Sequence, residues 1–272
     1  MVGNLFFRAE GKEGCKIDSF DRIEELLNTL NKYRPLTEGE LLRLREEFLI
    51  NFTYNSNAIE GNTLTLQETA LVLKEGITID KKPLKDHLEA VGHKEAWLYV
   101  EELVKQRVQL SEKIIKEIHS LVLMDKREDR GVYRRVPVTI MGAIHTPPQP
   151  YQVPTLMEQL ITKYQQQIAS LHVIERISLF HLEFEAIHPF IDGNGRTGRL
   201  LLNLELMKEG YPPINIKFGD RRRYYDCFRS YHSNSNDPSE MVSLVKQYLE
   251  EELTRYLEII IMANEIITPD CI

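Results

Sequence analysis

The chain has 272 residues, of which 42% are hydrophobic, and this content is enough to form a packed core. Its formal net charge is −7, so it lacks the positive field of a generic nucleic-acid or anionic-membrane binder. No apolar run approaches the length of a membrane helix, and the early charge in the N-terminal segment does not fit a signal peptide. Three scattered cysteines, Cys15, Cys227 and Cys271, form no metal-ligand spacing and no even disulfide set, so we expect a reducing compartment, the cytoplasm.

Helical periodicity dominates the sequence. Apolar residues recur about every 3.6 positions in three early stretches, which predicts core-facing helices. These stretches are 41–49, 88–103 and 114–122. Thr65 and Glu68 have the spacing of a capping box, Ser111 precedes one helical pattern, and Ser239 starts the long final one.

One segment, residues 131–154, departs from the helical pattern. Val136, Val138 and Ile140 alternate along it, the alternation breaks at Gly142, and a proline-rich turn follows. This pattern predicts a short β-hairpin carried on a helical body. The predicted fold class is therefore all-α with one short hairpin.

We expect one main domain, because no internal repeat, low-complexity tract or linker interrupts the chain. It is predicted to span residues 41–257, after an N-terminal helical extension over 1–40 and before a helix end and tail over 258–272. The apolar stretch 257–264 can pack on the core or on a second copy, which leaves a homodimer open.

The twelve residues HPFIDGNGRTGR, at 188–199, have the composition of a phosphate site. One helical pattern ends near Pro189 and another resumes at Leu200, so these residues form a tight loop that leads into a helix N-terminus. The first N–H groups of such a helix and its dipole attract anions. The loop is therefore predicted to be an anion cradle.

The residues of the loop suit that role. Gly193 and Gly195 allow positive φ and close approach of a ligand, and Asn194 tolerates the left-handed conformation and carries an amide donor. Arg196 and Arg199 offer forked donors to phosphate oxygens. Together they predict the binding of a polyphosphate.

Two further residues of the motif indicate catalysis. Asp192 would be repelled by phosphate unless a cation intervened, so it is predicted to hold Mg²⁺. His188 is the nearby group that can take a proton near neutral pH. Two alternatives remain open: a plain connection between helices, or a zinc site in which His181, Glu185 and His188 share one helix face.

At every defined position the motif matches HxFx(D/E)GNGRxxR, the signature of the Fic family, which the chain resembles from about residue 41 to 257. The resemblance implies an α-helical Fic fold and a protein adenylyltransferase, which moves AMP from ATP to a hydroxyl side chain of a target protein. It also implies that His188 is the base, Asp192 the Mg²⁺ ligand and 193–195 the phosphate loop. Arg196 and Arg199 are then phosphate ligands.

The resemblance extends to two other parts of a nucleotide site. The predicted hairpin resembles the Fic flap, which covers the nucleotide and presents the target. The flap positions are Thr139, Ile140, Met141 and Gly142. Tyr224 and Tyr225 are similar in place to the paired tyrosines that border the adenine and ribose. Family members often have an asparagine where this chain has His232.

A second motif, SNAIEGN at 56–62, resembles the inhibitory motif (S/T)xxxE(G/N) of Fic proteins, placed before the catalytic motif. Ser56 and Glu60 lie one turn apart on one helix face. The resemblance implies that Glu60 pairs with Arg199 and so occupies the group that should hold the γ-phosphate. Without the resemblance to the Fic family, the same residues would be interpreted as a capped helix end.

The predicted function is the transfer of AMP from ATP, with Mg²⁺, to a Ser, Thr or Tyr hydroxyl of a target protein, which can be the chain itself. Glu60 is the predicted built-in inhibitor. One alternative is hydrolytic removal of AMP, with Glu60 activating a water. Another is a nucleotide-sensing interaction module without turnover. The tyrosine pair favours a purine donor but does not exclude a pyrimidine nucleotide.

Overall fold

A computed structural model describes residues 20–33, 38–140 and 142–267. The described residues form ten α-helices, joined by loops and short 3-10 turns. They are α1 Asp21–Asn31, α2 Glu38–Ile59, α3 Leu66–Glu75, α4 Leu84–Lys105, α5 Glu112–Val122, α6 Val153–Gln166, α7 Val173–Ile187, α8 Asn194–Lys208, α9 Arg221–Ser233 and α10 Ser239–Ile267. The prediction of a helical body is confirmed.

Several predicted helix starts are confirmed by their caps. On α3, Thr65 accepts a hydrogen bond from the Glu68 N–H, and the Glu68 carboxylate accepts one from the Thr65 N–H at 2.7 Å. Ser111 accepts from the Ile114 N–H at the start of α5, and α10 begins at Ser239. Each side-chain cap satisfies an N–H group that the helix itself leaves unpaired, so local sequence is enough to place it.

Helix α8 is the centre of the fold and packs against α7, α4, α5 and α2. It is buried on nearly every side from Asn194 to Leu206, as is typical of an interior helix. Leu200, Leu201 and Leu204 are at most 1% exposed, and each such burial stabilises the fold by about 1.5–3 kcal/mol. The motif loop therefore ends on a helix that the core holds in place.

Helix α1 packs along α10 and buries four apolar side chains. These are Ile23, Leu26, Leu27 and Leu30. Residues 1–19, 34–37 and 268–272, which include Cys15 and Cys271, lie outside the described residues. The boundaries predicted at 40 and 257 stay predictions. In the part of the chain that is described, no helix is both long enough and apolar enough to cross a membrane.

The predicted β-hairpin is wrong. The described residues of 131–154, which we call the flap segment, contain no β-strand. Prolines are the physical reason, because Pro137, Pro147 and Pro148 have no N–H to donate to a strand ladder. The alternation of apolar residues before Gly142 therefore produces no paired strands.

Arg134 organises the flap segment in place of a sheet. Its guanidinium donates to the carbonyl oxygen of Val136 at 3.3 Å and to that of Pro148 at 2.6 Å, on either side of the segment's turn. Its Nε also donates to the His188 carbonyl oxygen at 2.8 Å. One buried side chain thus ties the flap segment to the motif loop.

Candidate functional site

His188 ends α7 in the left-handed conformation, with φ 50° and ψ 62°. For a residue other than glycine this conformation costs on the order of 1–3 kcal/mol and persists where the surroundings enforce it. Arg134 enforces it here, because its backbone N–H donates to the Pro189 carbonyl oxygen at 2.9 Å and its Nε to that of His188. Sequence reasoning gave Arg134 no such role.

Asn194 closes the turn that follows His188. Its Oδ1 accepts from the Phe190 N–H and its Nδ2 donates to the Phe190 carbonyl oxygen, both at 2.9 Å. Gly193 has the left-handed conformation that we predict, with φ 76°. Asn194 and Gly195 instead begin α8, so neither adopts it. The Asn194 amide therefore forms its hydrogen bonds within the loop.

Gly195 is needed for close approach. A Cβ atom at this position would collide with the Glu60 carboxylate and lie 3.1 Å from Arg199 Nη1. The first N–H groups of α8 have no partner within the helix, and the helix dipole adds to their attraction for an anion. The structure therefore places the N-terminus of α8 directly beside the Glu60 and Arg199 side chains.

Asp192 faces positive charge on two sides. Its Oδ2 contacts Lys126 Nζ at 2.7 Å, and its Oδ1 lies 3.5 Å from Arg196 Nη2 and accepts from the Gly193 N–H at 2.7 Å. Burial acts to raise the pKa of Asp192, but Lys126 and Arg196 outweigh it and hold the pKa below its usual range. The side chain is therefore an anionic carboxylate.

A magnesium ion fits this carboxylate. Mg²⁺ is commonly held by one or two carboxylates together with waters and substrate phosphates. Among the described residues, no group of three His, Cys, Asp or Glu side chains could hold a metal ion. Asp192 by itself could supply one carboxylate ligand to such an ion, and in this structure the carboxylate contacts the Lys126 ammonium.

The zinc arrangement of His181, Glu185 and His188 is not formed. His181 Nε2 is engaged by the Tyr224 hydroxyl at 2.7 Å. The three side chains are not among any metal-holding group in the described part of the chain. The contacts of these three side chains on α7 are therefore not those of a zinc site.

Arg196 lies beneath the motif loop and is 1% exposed. Its Nη1 lies 3.1 Å from Glu89 Oε1 on α4, and its Nη2 faces Asp192. Like Asp192, Gly193 and Asn194, it does not line the cavity that His188, Gly195 and Arg199 share. These contacts join the loop to α4, and the phosphate contact of Arg196 stays a prediction.

Arg199 is held by two residues of the second motif. Its Nη2 donates to Glu60 Oε1 at 2.9 Å and to the Ser56 carbonyl oxygen at 2.7 Å, and its Nε donates to Ser56 Oγ at 3.0 Å. The pairing that the resemblance implies is present in the structure. The Arg199 side chain is 2% exposed and that of Glu60 is 32% exposed. Glu60 is therefore the partner that solvent reaches.

Burial lowers the pKa of His188 to about 4, and Arg134 adds to the effect, whereas the backbone carbonyl of Glu185 and the charge of Glu60 oppose it. At neutral pH the imidazole is therefore uncharged and able to accept a proton. Burial and the charge of Glu60 raise the pKa of Glu185 to about 8, although Arg199 opposes them. Glu185 Oε2 lies 3.8 Å from His188 Nδ1.

A cavity of about 810 Å³ joins these groups, a size typical of small-ligand sites. Most of the predicted site residues line it. They are Glu60, Thr139, Ile140, Gly142, His188, Gly195, Arg199, Tyr224 and Tyr225. Met141 lies outside the described residues. Glu185, His145 and Arg221 also line the cavity, and sequence reasoning assigned them no part in a nucleotide site.

One wall of the cavity is aromatic. Tyr224 is 1% exposed, and the Arg221 guanidinium lies over the Tyr225 ring at 5.3 Å from its centroid. His232, at the position where family members often have an asparagine, stacks on His145 with ring centroids 3.8 Å apart. The flap segment and α9 thus meet at this pair of imidazoles, which no local sequence pattern predicts.

The profile of the Fic/DOC family matches residues 109–206 of the chain. A protein named Protein adenylyltransferase Fic, from Drosophila yakuba, is 34% identical over 245 residues, which cover 89% of this chain and 48% of that protein. Its Drosophila melanogaster counterpart is 33% identical with the same coverage. The chain thus spans about half the length of the curated relatives it matches.

A solved structure of a Fic-domain-containing signalling protein from Bacteroides thetaiotaomicron aligns with a TM-score of 0.80 and 30% identity, and covers 88% of this chain and 97% of that chain. Fic-1 from C. elegans aligns with a TM-score of 0.77 and 28% identity. The expected Fic fold is therefore confirmed. On the combined strength of the motif loop, the fold and these matches, the chain belongs to the Fic family.

Proposed function

We propose that the chain is a protein adenylyltransferase that transfers AMP from ATP to a Ser, Thr or Tyr hydroxyl of a target protein, and that Glu60 holds it inactive. One observation carries the proposal. A single cavity is lined by His188, by Gly195 at the start of α8, and by Arg199 bound to Glu60. The Drosophila relatives named as adenylyltransferases support the same reaction.

His188 is the proposed base. The target hydroxyl oxygen forms a bond to the α-phosphorus, the bond from that phosphorus to the pyrophosphate breaks, and His188 takes the hydroxyl proton. A buried imidazole with a pKa of about 4 is unprotonated at neutral pH, which is the form that this step requires. Such transfers depend on positioning as much as on proton removal. The fixed conformation of His188 at the end of α7 is therefore proposed to position the imidazole for this step.

The phosphates are proposed to sit at the N-terminus of α8. Gly195 lets a phosphate approach the first N–H groups of the helix, whose dipole favours negative charge. Asp192 would hold Mg²⁺, which neutralises the leaving pyrophosphate when it is bound. Arg199 has the forked donors that a γ-phosphate needs.

Inhibition follows from the Glu60 contact. The carboxylate occupies donors of Arg199 and adds negative charge where the γ-phosphate should lie. ATP that binds beside it is turned away from in-line attack, because its terminal phosphate lacks this arginine. Activation then requires that Glu60 leave Arg199, and its 32% exposure gives it room to do so.

The target is proposed to lie along the flap segment. Thr139, Ile140 and Gly142 line the same cavity as His188, so an extended target segment there would present a hydroxyl to the imidazole. Pairing through the backbone makes little demand on target sequence. The tyrosines at 224 and 225 favour a purine nucleotide. A homodimer and a cytoplasmic location stay predictions.

Removal of AMP is a second candidate for one reason: the Glu60 carboxylate is partly exposed in the cavity and could orient a water. In the test, the unmodified and the AMP-modified target are each incubated with the wild type and with Glu60→Gly, and the products are resolved by mass spectrometry. Label from ATP on a target hydroxyl supports transfer. Release of free AMP that needs Glu60 supports removal.

Pyrophosphate release separates a nucleotide-sensing module without turnover from the transferase, and AMP release from the modified target separates it from the hydrolase. Wild type and Glu60→Gly are incubated with ATP, Mg²⁺ and the target, and pyrophosphate release is measured. No pyrophosphate from either protein, with ATP binding intact, would reject the transferase, and the absence of AMP release as well would leave the sensing role.

A further inference from the structure

We propose that Glu185 is a positioning residue for His188: its carboxylate accepts a hydrogen bond from His188 Nδ1–H and leaves Nε2 to receive the hydroxyl proton. The inference rests on the proposed role of His188 as the base. It concerns a residue that the Fic motif does not include, since Glu185 precedes the motif by three positions.

The geometry is an i, i+3 pair at the end of α7. Glu185 Oε2 lies 3.8 Å from His188 Nδ1, which is longer than a hydrogen bond but within reach of a small rotation of the carboxylate. Glu185 Oε1 and His188 Nδ1 are both buried without a hydrogen-bond partner. Two neighbouring unsatisfied groups, one able to donate and one to accept, satisfy each other by pairing.

The neighbouring helix makes room for this carboxylate. A Cβ atom on Gly198 would collide with Glu185 Oε1 and lie 3.0 Å from His181 Cε1. The central helix therefore has a glycine where the Glu185 side chain crosses it. A negative charge in the last turn of a helix is also unfavourable with the helix dipole, so local helix stability does not account for a glutamate at this position.

The charge of Glu185 depends on Glu60. Burial and the negative charge of Glu60 raise the pKa of Glu185 to about 8, against the opposing charge of Arg199. In the structure as it stands, Glu185 is therefore mostly protonated at neutral pH and is a weak acceptor. When Glu60 leaves, its repulsion is lost while Arg199 remains, so the pKa of Glu185 falls even though burial still raises it. A larger fraction of Glu185 is then ionised at neutral pH and is a stronger acceptor for His188.

The contact between Glu60 and Arg199 thus has a second consequence. It occupies the arginine, and the charge of Glu60 adds to burial in keeping Glu185, the proposed partner of the base, uncharged. The groups that face this pair are Glu60 beyond α2, His181 on α7, Arg199 on α8, Tyr224 on α9, and Arg134 and His145 of the flap segment. Of these, Glu60 is the one proposed to move, so its departure is the event that lowers the pKa of Glu185.

Proton balance is simple. The hydroxyl proton goes to His188 Nε2, the imidazolium forms, and its Nδ1–H stays in place and donates to the Glu185 carboxylate. Glu185 takes no proton from the substrate. Its effect is to fix the tautomer and the ring orientation and to stabilise the imidazolium.

The first test compares Glu185→Gln with its parent, both in the Glu60→Gly chain, so that inhibition is absent. Gln keeps the shape but cannot carry the charge. We expect kcat to fall about tenfold, the KM for ATP to stay unchanged, and the acid limb of the kcat profile to move to lower pH, because the carboxylate raises the pKa of the imidazole. Glu183→Gln is the matched control, since Glu183 lies on the same helix and pairs with Lys163.

The second test reads His188 directly, by NMR titration of ¹⁵N-labelled histidine in the wild type and in Glu60→Gly. Glu60 raises the pKa of His188, so its removal alone would lower that pKa. We expect the opposite sign, because a larger fraction of the nearer Glu185 is then ionised. This measurement needs no catalysis and no substitution at Glu185, so it stands even where Glu185→Gln folds poorly.

The role of His188 as the base and the positioning role of Glu185 can be rejected independently. If His188→Asn transfers AMP normally, the proposed base is wrong and this inference goes with it. If His188→Asn is inactive while Glu185→Gln keeps the parental kcat and pH profile, or His188 titrates at lower pH after Glu60 is removed, the base stands and the positioning role of Glu185 is rejected.

Discussion

Arg199 and Glu60 form a 2.9 Å ion pair although 139 residues separate them in the sequence. The arginine comes from the central helix and the carboxylate from the residue that follows α2. Because the guanidinium is buried and the carboxylate is partly exposed, one partner is fixed and the other can leave. Because of this asymmetry, the pair suits the proposed inhibitory switch better than a permanent structural contact.

Replacement of Glu60 by glycine should release Arg199. We expect incorporation of label from α-³²P-ATP, including self-modification, to rise at least tenfold, because the γ-phosphate then has its arginine. Glu75→Gly is the control, since Glu75 is an exposed residue at the end of α3. Equal labelling of the wild type and Glu60→Gly would contradict intramolecular inhibition.

Replacement of His188 should abolish transfer but not binding. Asparagine is the better substitute, because it tolerates the left-handed conformation that His188 adopts. In the Glu60→Gly chain we expect His188→Asn to lose at least ~10²-fold in transfer rate, the usual contribution of a general base. Calorimetric titration with a non-hydrolysable ATP analogue should show unchanged affinity. A near-normal rate would remove His188 as the base.

Replacement of Asp192 by asparagine should weaken metal binding. The Asp192 carboxylate is anionic, and asparagine keeps its size without its charge. We expect Mn²⁺, used as a probe for Mg²⁺ and detected by electron paramagnetic resonance with ATP present, to bind more weakly to the variant. Lys126→Gln should act in the other direction, because the ammonium that contacts Asp192 is removed. Unchanged Mn²⁺ binding in both variants would reject the metal site.

Gly195 and Glu60 should be coupled in stability. A methyl group on Gly195 collides with the Glu60 carboxylate, so Gly195→Ala should push that side chain from Arg199. In urea unfolding we expect Gly195→Ala to be more destabilising in the wild type than in Glu60→Gly, by about 1 kcal/mol. Equal costs in the two backgrounds would show that the close approach carries no energy.

The stability of the chain should depend on pH through Glu185. Its pKa is raised to about 8 in the folded state from the usual value of 4.5, so between these values the folded state holds a proton that the unfolded state has lost. Stability from this group is therefore present below about pH 4.5 and falls as pH rises towards 8. The maximum slope is about 1.4 kcal/mol per pH unit.

Buried histidines act with the opposite sign. The pKa of His188 is lowered to about 4 and that of His181 to about 3, each from 6.5, so their effect is to raise stability as pH rises to about 6.5. These histidines are common to the wild type and Glu185→Gln, so the difference between the two proteins isolates the fall due to Glu185. Urea unfolding at pH 6.5, 7.2 and 8 should show a smaller decline for Glu185→Gln than for the wild type. Parallel declines would contradict the raised pKa.

The sequence by itself determined the local features. The capping box at Thr65, the end of α7 before Pro189 and the left-handed Gly193 follow from interactions within a few residues, where backbone preference decides. The twelve-residue motif is similarly local, so its loop and its helix could be predicted, and with them the family. The hairpin prediction was wrong because the alternation outweighed the prolines at 137, 147 and 148, which cannot donate to a ladder. The contacts of Arg134 that organise the segment instead are tertiary.

Tertiary structure decided everything that depends on distant groups meeting. It turned Arg196 towards Glu89 and away from the cavity, set His232 against His145 and brought Glu60 to Gly195 and Arg199. It also set the pKa of Glu185, whose only local sign was an acidic residue in the last turn of an apolar helix. Burial and charge are properties of the surroundings, and the surroundings of a side chain come from elements far away in the sequence.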